Sequence, residues 1–340
     1  MPIWTALCFA LAANDATLID LHVDTVHQVF AHGRRLRGRA ADVNLATMAA
    51  GDVGAAFFAI WVPARARDHV SYAERAYAAF KRMLAETKGA VVQARNAAEI
   101  RAAWAAGKRV ALLAIEGAHA LGDDPERLRV WRARGLVALG LTWTNSNAFA
   151  ESDVDEAARR TRGENGRGLT KLGERLVALA DELGVLIDTA HASAATLRDV
   201  TRISRQPPIA SHTASRALCR HHRNLTDDSL RLIASRGGVV GLTFHGPHVR
   251  CGRRGRASLA DIVLQLAHMK RVAGIDAIAI GSDYDGMIVT PTGLPNAASF
   301  KKLRTALRKS GFSADDISRI FQKNVLRVLE RLDPMPAAGP

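Results

Sequence analysis

Thr17-Leu18-Ile19-Asp20-Leu21-His22-Val23-Asp24-Thr25 sets apolar residues at 18, 19, 21 and 23 among polar ones at 20, 22 and 24. That near-alternation reads as a short strand. His22 and Asp24 are two residues apart, so they leave the same side of it as it ends. An imidazole beside a carboxylate suits a divalent metal, zinc first. A buried histidine satisfied by its neighbouring aspartate is the plainer reading, and the tripeptide by itself favours it. The rest of the chain decides the matter.

Working outward, seven further apolar runs read as strands: 53–62, 109–116, 136–143, 185–191, 209–212, 239–245 and 277–283. Helical spacing marks 71–86, 96–107, 170–183, 258–272, 299–309 and 314–331, and Thr226-Asp227-Asp228 starts another helix that stops at Gly237-Gly238. Eight strands separated mainly by helices imply a parallel sheet, and eight is the number that closes a (β/α)8 TIM barrel. An open doubly wound sheet would need a glycine-rich phosphate turn after the first strand. His22-Val23-Asp24-Thr25-Val26-His27-Gln28-Val29 is nothing of the kind. The polar, arginine-rich 26–48 reads as a long loop over the site. The polar 144–168 is too long for a plain connector and reads as a lid.

A chain of 340 residues accommodates such a barrel as one domain, assigned here to 14–332, with 333–340 as a tail. Residues 1–13 read equally as a short signal segment or an N-terminal cap on the barrel. The apolar run there has no preceding Lys or Arg, as a signal peptide normally would, so cytoplasmic and exported locations both stay open. No later run is long enough to span a membrane. Forty-seven basic against 33 acidic residues give a net charge of +14, which raises the question of nucleic acid. The arginines are scattered except at 250, 253, 254 and 256, without interleaved aromatics, so a solvated basic face is expected and no nucleic acid partner. Cys8, Cys219 and Cys251 form no C-x-x-C pair; a Cys219–Cys251 bridge is left open.

The last residues of the strands then line up as His22, Asp24, Glu116, His191, His212 and Asp283. In a barrel these ends converge on the face where active sites are built. Singly, each has a dull explanation: a helix cap, a core histidine, a turn. Together they are too many histidines and carboxylates for chance, and too many for one tetrahedral zinc. Two metals sharing a carboxylate use them economically, with a bridging water acidified enough to attack at neutral pH and one carboxylate left for proton transfer.

The strings I-D-L-H-V-D-T, I-E-G, D-T-A-H-A-S, S-H-T-A-S-R with H-R-N beyond it, and G-S-D-Y-D-G resemble the membrane (renal) dipeptidase family of amidohydrolase-like metallohydrolases. The resemblance runs from about 17 to 330, in family order. It implies a two-zinc (β/α)8 barrel that hydrolyses dipeptides. It further implies that His22 and Asp24 hold one Zn2+, that His191 and His212 hold the other, and that Glu116 bridges them. Asp283 is then the acid/base, and Arg223 falls where the family grips the substrate's terminal carboxylate, a task suited to a planar fork.

Two positions depart from the pattern. Trp143 stands where the mammalian members carry a histidine that touches the substrate carbonyl, and indole is donor-only and bulkier. His245 follows Phe244 where the family often has tyrosine. His245 is either a replacement donor or a pocket wall. The expected activity is hydrolysis of a dipeptide through a metal-bridging hydroxide. The rivals are a related amidohydrolase acting on a lactone, lactam or N-acyl amino acid, and a metal-containing protein that binds an anionic partner. A homodimer stays open.

Overall fold

In the computed structural model, which describes residues 17–252 and 256–332, the chain forms a closed parallel barrel. Its strands are β1 (Leu18–Val23), β2 (Val53–Trp61), β3 (Val91–Ala94), β4 (Arg109–Glu116), β5 (Leu136–Gly140), β6 (Leu186–Asp188), β7 (Ile209–Thr213), β8 (Val239–Leu242) and β9 (Ile278–Ile280). The sheet order is β2-β1-β9-β8-β7-β6-β5-β4-β3, and a β2–β4 pairing closes the ring. β2 runs along one edge of β4 from Val110 to Glu116. The other edge is divided: β3 takes 109–112 and β5 takes 113–115. Eight strands therefore make the barrel, and β3 hangs outside it. Four residues of Val-Val-Gln-Ala are too short a run to announce a strand.

Alternation along the strands separates two layers of core. Ala56, Phe58 and Ile60 of β2 pack with Ala111, Leu113 and Ile115 of β4 against helix residues such as Phe80, Leu176, Leu266 and Leu303. The intervening positions, among them Ala55, Phe57, Leu112 and Ala114, share a second cluster with Trp104, Val325, Val328 and Leu329. The Trp104 indole donates to Gly54 O at the start of β2, and the Asn324 amide donates to Ile278 O at the start of β9. The N-terminal ends of the strands are thus plugged by helix side chains, and their C-terminal ends are left for the site.

Helix signals in the sequence are realised as side-chain caps. Asn96 Oδ1 accepts from Glu99 N, Ser258 closes a capping box with Asp261, and Gly184 ends the helix Lys171–Leu183 in the left-handed region. Elsewhere the expectations need correction. The stretch 26–48 is not a plain loop, since helices Thr25–His32 and Leu45–Ala50 occupy both its ends. The second begins at Asn44, whose side chain accepts from Ala46 N and Thr47 N. The stretch 144–168 contains the helix Asp153–Thr161, capped by Ser152. The strands also stop earlier than the apolar runs, so His191, His245 and Asp283 lie in the loops just past them. Cys219 and Cys251 are joined as a disulfide, their Cα atoms 5.1 Å apart. Residues 1–13, Arg253, Arg254 and 333–340 lie outside the described residues.

Candidate metal centre

β1 delivers His22, and Asp24 follows one residue beyond its end; β4 ends on Glu116, β7 carries His212, and His191 and Asp283 follow β6 and β9. Both loop residues adopt left-handed backbone, φ +64° for each, a conformation uncommon for side chains other than Gly, Asn and Asp and frequent at functional sites. Beside them Gly286 has no room for a side chain: a Cβ there would lie 2.4 Å from Asp283 Oδ1 and 2.5 Å from Asp24 Oδ2.

The donor atoms form two groups around Glu116. Its Oε1 lies 3.0 Å from His191 Nε2 and 3.4 Å from His212 Nε2, and the two imidazole nitrogens are 3.1 Å apart. Its Oε2 lies 3.9 Å from His22 Nε2, which is 3.7 Å from Asp24 Oδ2. Donors around a tetrahedral cation with bonds of about 2.1 Å sit roughly 3.4 Å apart, so the first group already has the dimensions of one face of such a shell. His22 Nε2 and Asp24 Oδ1 are buried without a hydrogen-bond partner, which leaves their lone pairs to a cation. His22, His212 and Asp283 make a third group of atoms within 4.8 Å of one another.

Burial governs the protonation of these groups. It pushes the Glu116 carboxyl up to about 8 against the positive field of His22, and it pushes Asp283 well above the usual carboxylate range, reinforced by the charge of Asp24. It holds His191 and His212 well below the ordinary imidazole value, aided by Arg223 and His22. Burial opposes the His22 cation too, but the charges of Glu116 and Asp24 outweigh it and raise His22 to about 10. A divalent cation fits this set: it gives the buried carboxylates a counter-charge, and the neutral imidazoles offer it lone pairs.

A second layer orients the ligands, and the sequence reading passed over it. Asp20 Oδ1 accepts from His22 N (3.2 Å) and Ser282 N (2.8 Å); Asp188 Oδ1 accepts from Ala190 N (2.9 Å) and Ser211 N (2.8 Å). Ser211 Oγ in turn lies 2.9 Å from His212 Nδ1, leaving Nε2 to face the cluster. The signal was present, an aspartate two or three residues before each leading histidine, but it reads equally as a turn residue.

Arg223 is 6% exposed and lines the same cavity. One Nη2 hydrogen goes to His212 O at 2.6 Å, and its Nε is buried without a partner. The Cys219–Cys251 bridge and Asn224, whose amide donates to Cys219 O and His248 O, hold the loop that carries it. Trp143 also lines the cavity, its ring 5.1 Å from that of Trp61 and 6.5 Å from that of His191. His245 does not. Its ring sits 4.4 Å behind that of His248, and it is His248 that faces the cavity, with His27 and Trp61, which the sequence reading had not singled out.

The sequence model for the membrane dipeptidase family, peptidase family M19, matches residues 11–337. Dipeptidase aclJ of Aspergillus oryzae is 34% identical over 223 residues, 66% of this chain; the match spans 51% of that relative, about half its length. A metallopeptidase from Rhodobacter sphaeroides, solved with a phosphinate mimic of the dipeptide L-Ala-D-Ala, superposes with a TM-score of 0.86 at 26% identity, covering 94% of this chain and 100% of that one. The metallopeptidase dipeptidase AC, also of family M19, superposes at 0.85 with 27% identity over 94% of this chain and 99% of its own.

Proposed function

The chain belongs to the membrane dipeptidase family, and on that premise we propose that it is a zinc-dependent dipeptidase. Two Zn2+ ions would be held by His22 with Asp24 and by His191 with His212, Glu116 serving both. One observation carries this reading: Glu116 turns a different oxygen to each histidine set. Bound there, the ions would supply Lewis acidity and a nucleophile from water at neutral pH.

The chain's own residues do the rest. Arg223, fixed by His212 O, keeps guanidinium hydrogens for the α-carboxylate of a dipeptide. Asp283 stands beside both ligand sets, which are complete without it, and shuttles the proton from the attacking water to the leaving amine. Trp61 and Trp143 wall the cleft. The disulfide supports work in an oxidising compartment outside the cytosol.

Comparing free dipeptides with their C-terminal amides tests this. An unpaired, largely buried arginine costs on the order of 2 kcal/mol, so free dipeptides are expected to be cleaved at least tenfold better. Arg223→Met removes most of that difference. Equal cleavage of both would transfer the assignment to a lactone, lactam or N-acyl amino acid.

A further inference from the structure

His191 and Arg223 line the metal cavity, and both also line a second cavity of about 450 Å3, with Asp153, Glu156 and His222 among its other walls. Neither Asp153 nor His222 has a part in the chemistry proposed above. Their side chains meet: His222 Nδ1 donates to Asp153 Oδ2 at 2.6 Å. His222 directly precedes Arg223 in the chain, and Asp153 opens the helix Asp153–Thr161.

Asp153 is a fixed point. Its N–H donates to His191 O at 2.9 Å, which ties it to the backbone of a candidate metal ligand. Around it, Ser193 N and Thr196 Oγ1 donate to Glu151 O, and Ala194 N and Ala195 N donate to the Glu156 carboxylate. The segment 151–156 is thereby strapped to the loop that carries His191. Asp153 is 6% exposed, and the first turn of a helix favours its negative charge. One carboxylate oxygen faces His222, while the other is buried without a partner. The His222 ring is backed by that of His221, 4.2 Å away.

The remaining anchors of Arg223 lie on β7. Thr213 Oγ1 donates to Arg223 O at 3.0 Å, and Arg223 Nη2 donates to His212 O. Arg223 is therefore referenced to His212 directly and to His191 through His222 and Asp153. We propose that Asp153 and His222 are a positioning pair that holds the Arg223 guanidinium at a set distance from the His191–His212 side of the metal cluster. The inference rests on the dipeptidase reading, because that distance matters only to a substrate whose terminal carboxylate Arg223 grips. A misplacement of about 1 Å in such a contact can cost roughly 10²-fold. Neither residue lines the metal cavity, so neither is catalytic.

The test measures kcat and KM of the zinc-loaded enzyme for Ala-Ala and for its C-terminal amide, with zinc content by elemental analysis. His222→Ala and Asp153→Ala should each raise KM for Ala-Ala about tenfold, the worth of one hydrogen bond to a charged group, and move kcat less. Cleavage of the amide, which offers Arg223 no carboxylate, should stay as it was, and zinc should be retained. The double variant should be no worse than either single one, since both remove the same link. His222→Asn, which keeps a donor near the position of Nδ1, should restore most of the loss. If Asp153→Ala folds poorly by circular dichroism, the two His222 variants carry the test by themselves. A KM for Ala-Ala unmoved by His222→Ala, equal losses on both substrates, or additive losses in the double variant would overturn this inference and leave the dipeptidase reading intact. Equal cleavage of Ala-Ala and its amide by the native enzyme, or cleavage of neither, would remove both.

Discussion

Two seams of the barrel are built on the same plan, and the candidate metal ligands sit at both. β1 meets β9 through one register pair, Asp20 with Ile280, and β6 meets β7 through one, Asp188 with Ile209. In each, the aspartate's Oδ1 accepts one backbone N–H from two residues further along its own chain and one from across the gap, where it stands in for the missing ladder. Strands that splay at their ends leave room for side chains to converge, which is where His22 and Asp283, and His191 and His212, arise. The seams differ in reinforcement. At β6–β7, Thr189 sends both its N–H and its hydroxyl to Ile209 O. At β1–β9 two backbone bonds cross, from Asp283 N to His22 O and from Asp24 N to Tyr284 O. Asp20 also keeps Oδ2 buried without a partner, and burial pushes its carboxyl up to about 6. A carboxylate can therefore stand in for a ladder, and at β1–β9 it does so with one of its oxygens left buried and unpartnered.

Removing each aspartate breaks the comparison most directly. Asp20→Ala and Asp188→Ala each strand two buried N–H groups, a loss of about 2–4 kcal/mol read from guanidinium unfolding. Asp20→Ala is expected to cost less, because it also removes a buried carboxylate oxygen that has no partner. It should loosen zinc at the His22–Asp24 pair, and Asp188→Ala should loosen it at the His191–His212 pair. The reverse order of stability would show that the unpartnered oxygen is not a cost at the Asp20 seam.

Asp283→Asn sharpens it next. Both ions should remain by elemental analysis while kcat falls roughly 10²-fold, the usual worth of general acid/base help. Loss of metal would instead make Asp283 a ligand and give β1–β9 three ligands against two at β6–β7.

A smaller effect distinguishes the Arg223 side by pH. Burial, with the Arg223 charge, holds His248 at about 2, far below its value near 6.5 in an unfolded chain. As pH falls below about 6.5 the unfolded chain takes up this proton first, so the stability present above that pH drains away towards acid. The slope is up to about 1.4 kcal/mol per pH unit. His248→Leu should flatten the stability curve of metal-free protein between pH 6 and 4. An unchanged slope would show that His248 is not held neutral.

Much of this was legible in the sequence because strands, ligands and caps leave local marks. The alternation at Leu18–Val23, the glutamate closing Arg109–Glu116 and the Asn96 cap all record their structure within a few residues. What escaped depends on distance in space. Val91–Ala94 is a strand because β4 offers half an edge to it. His248 displaces His245 from the cavity because the helix Gly246–Val249 turns the chain between them. Asp20 and Asp188 matter because of Ser282 and Ser211, residues their own sequence neighbourhoods do not contain. The aromatic wall joins His27, Trp61 and Trp143 from three separate stretches.

The claim on which the rest depends is that each seam supplies half of one bridged site. Elemental analysis of protein purified without added zinc, repeated after dialysis against zinc, measures this directly. The account predicts two zinc-class ions per chain, falling to one or none when Glu116 is replaced by alanine. A single ion per chain in the native sequence, unaltered by added zinc, would contradict it.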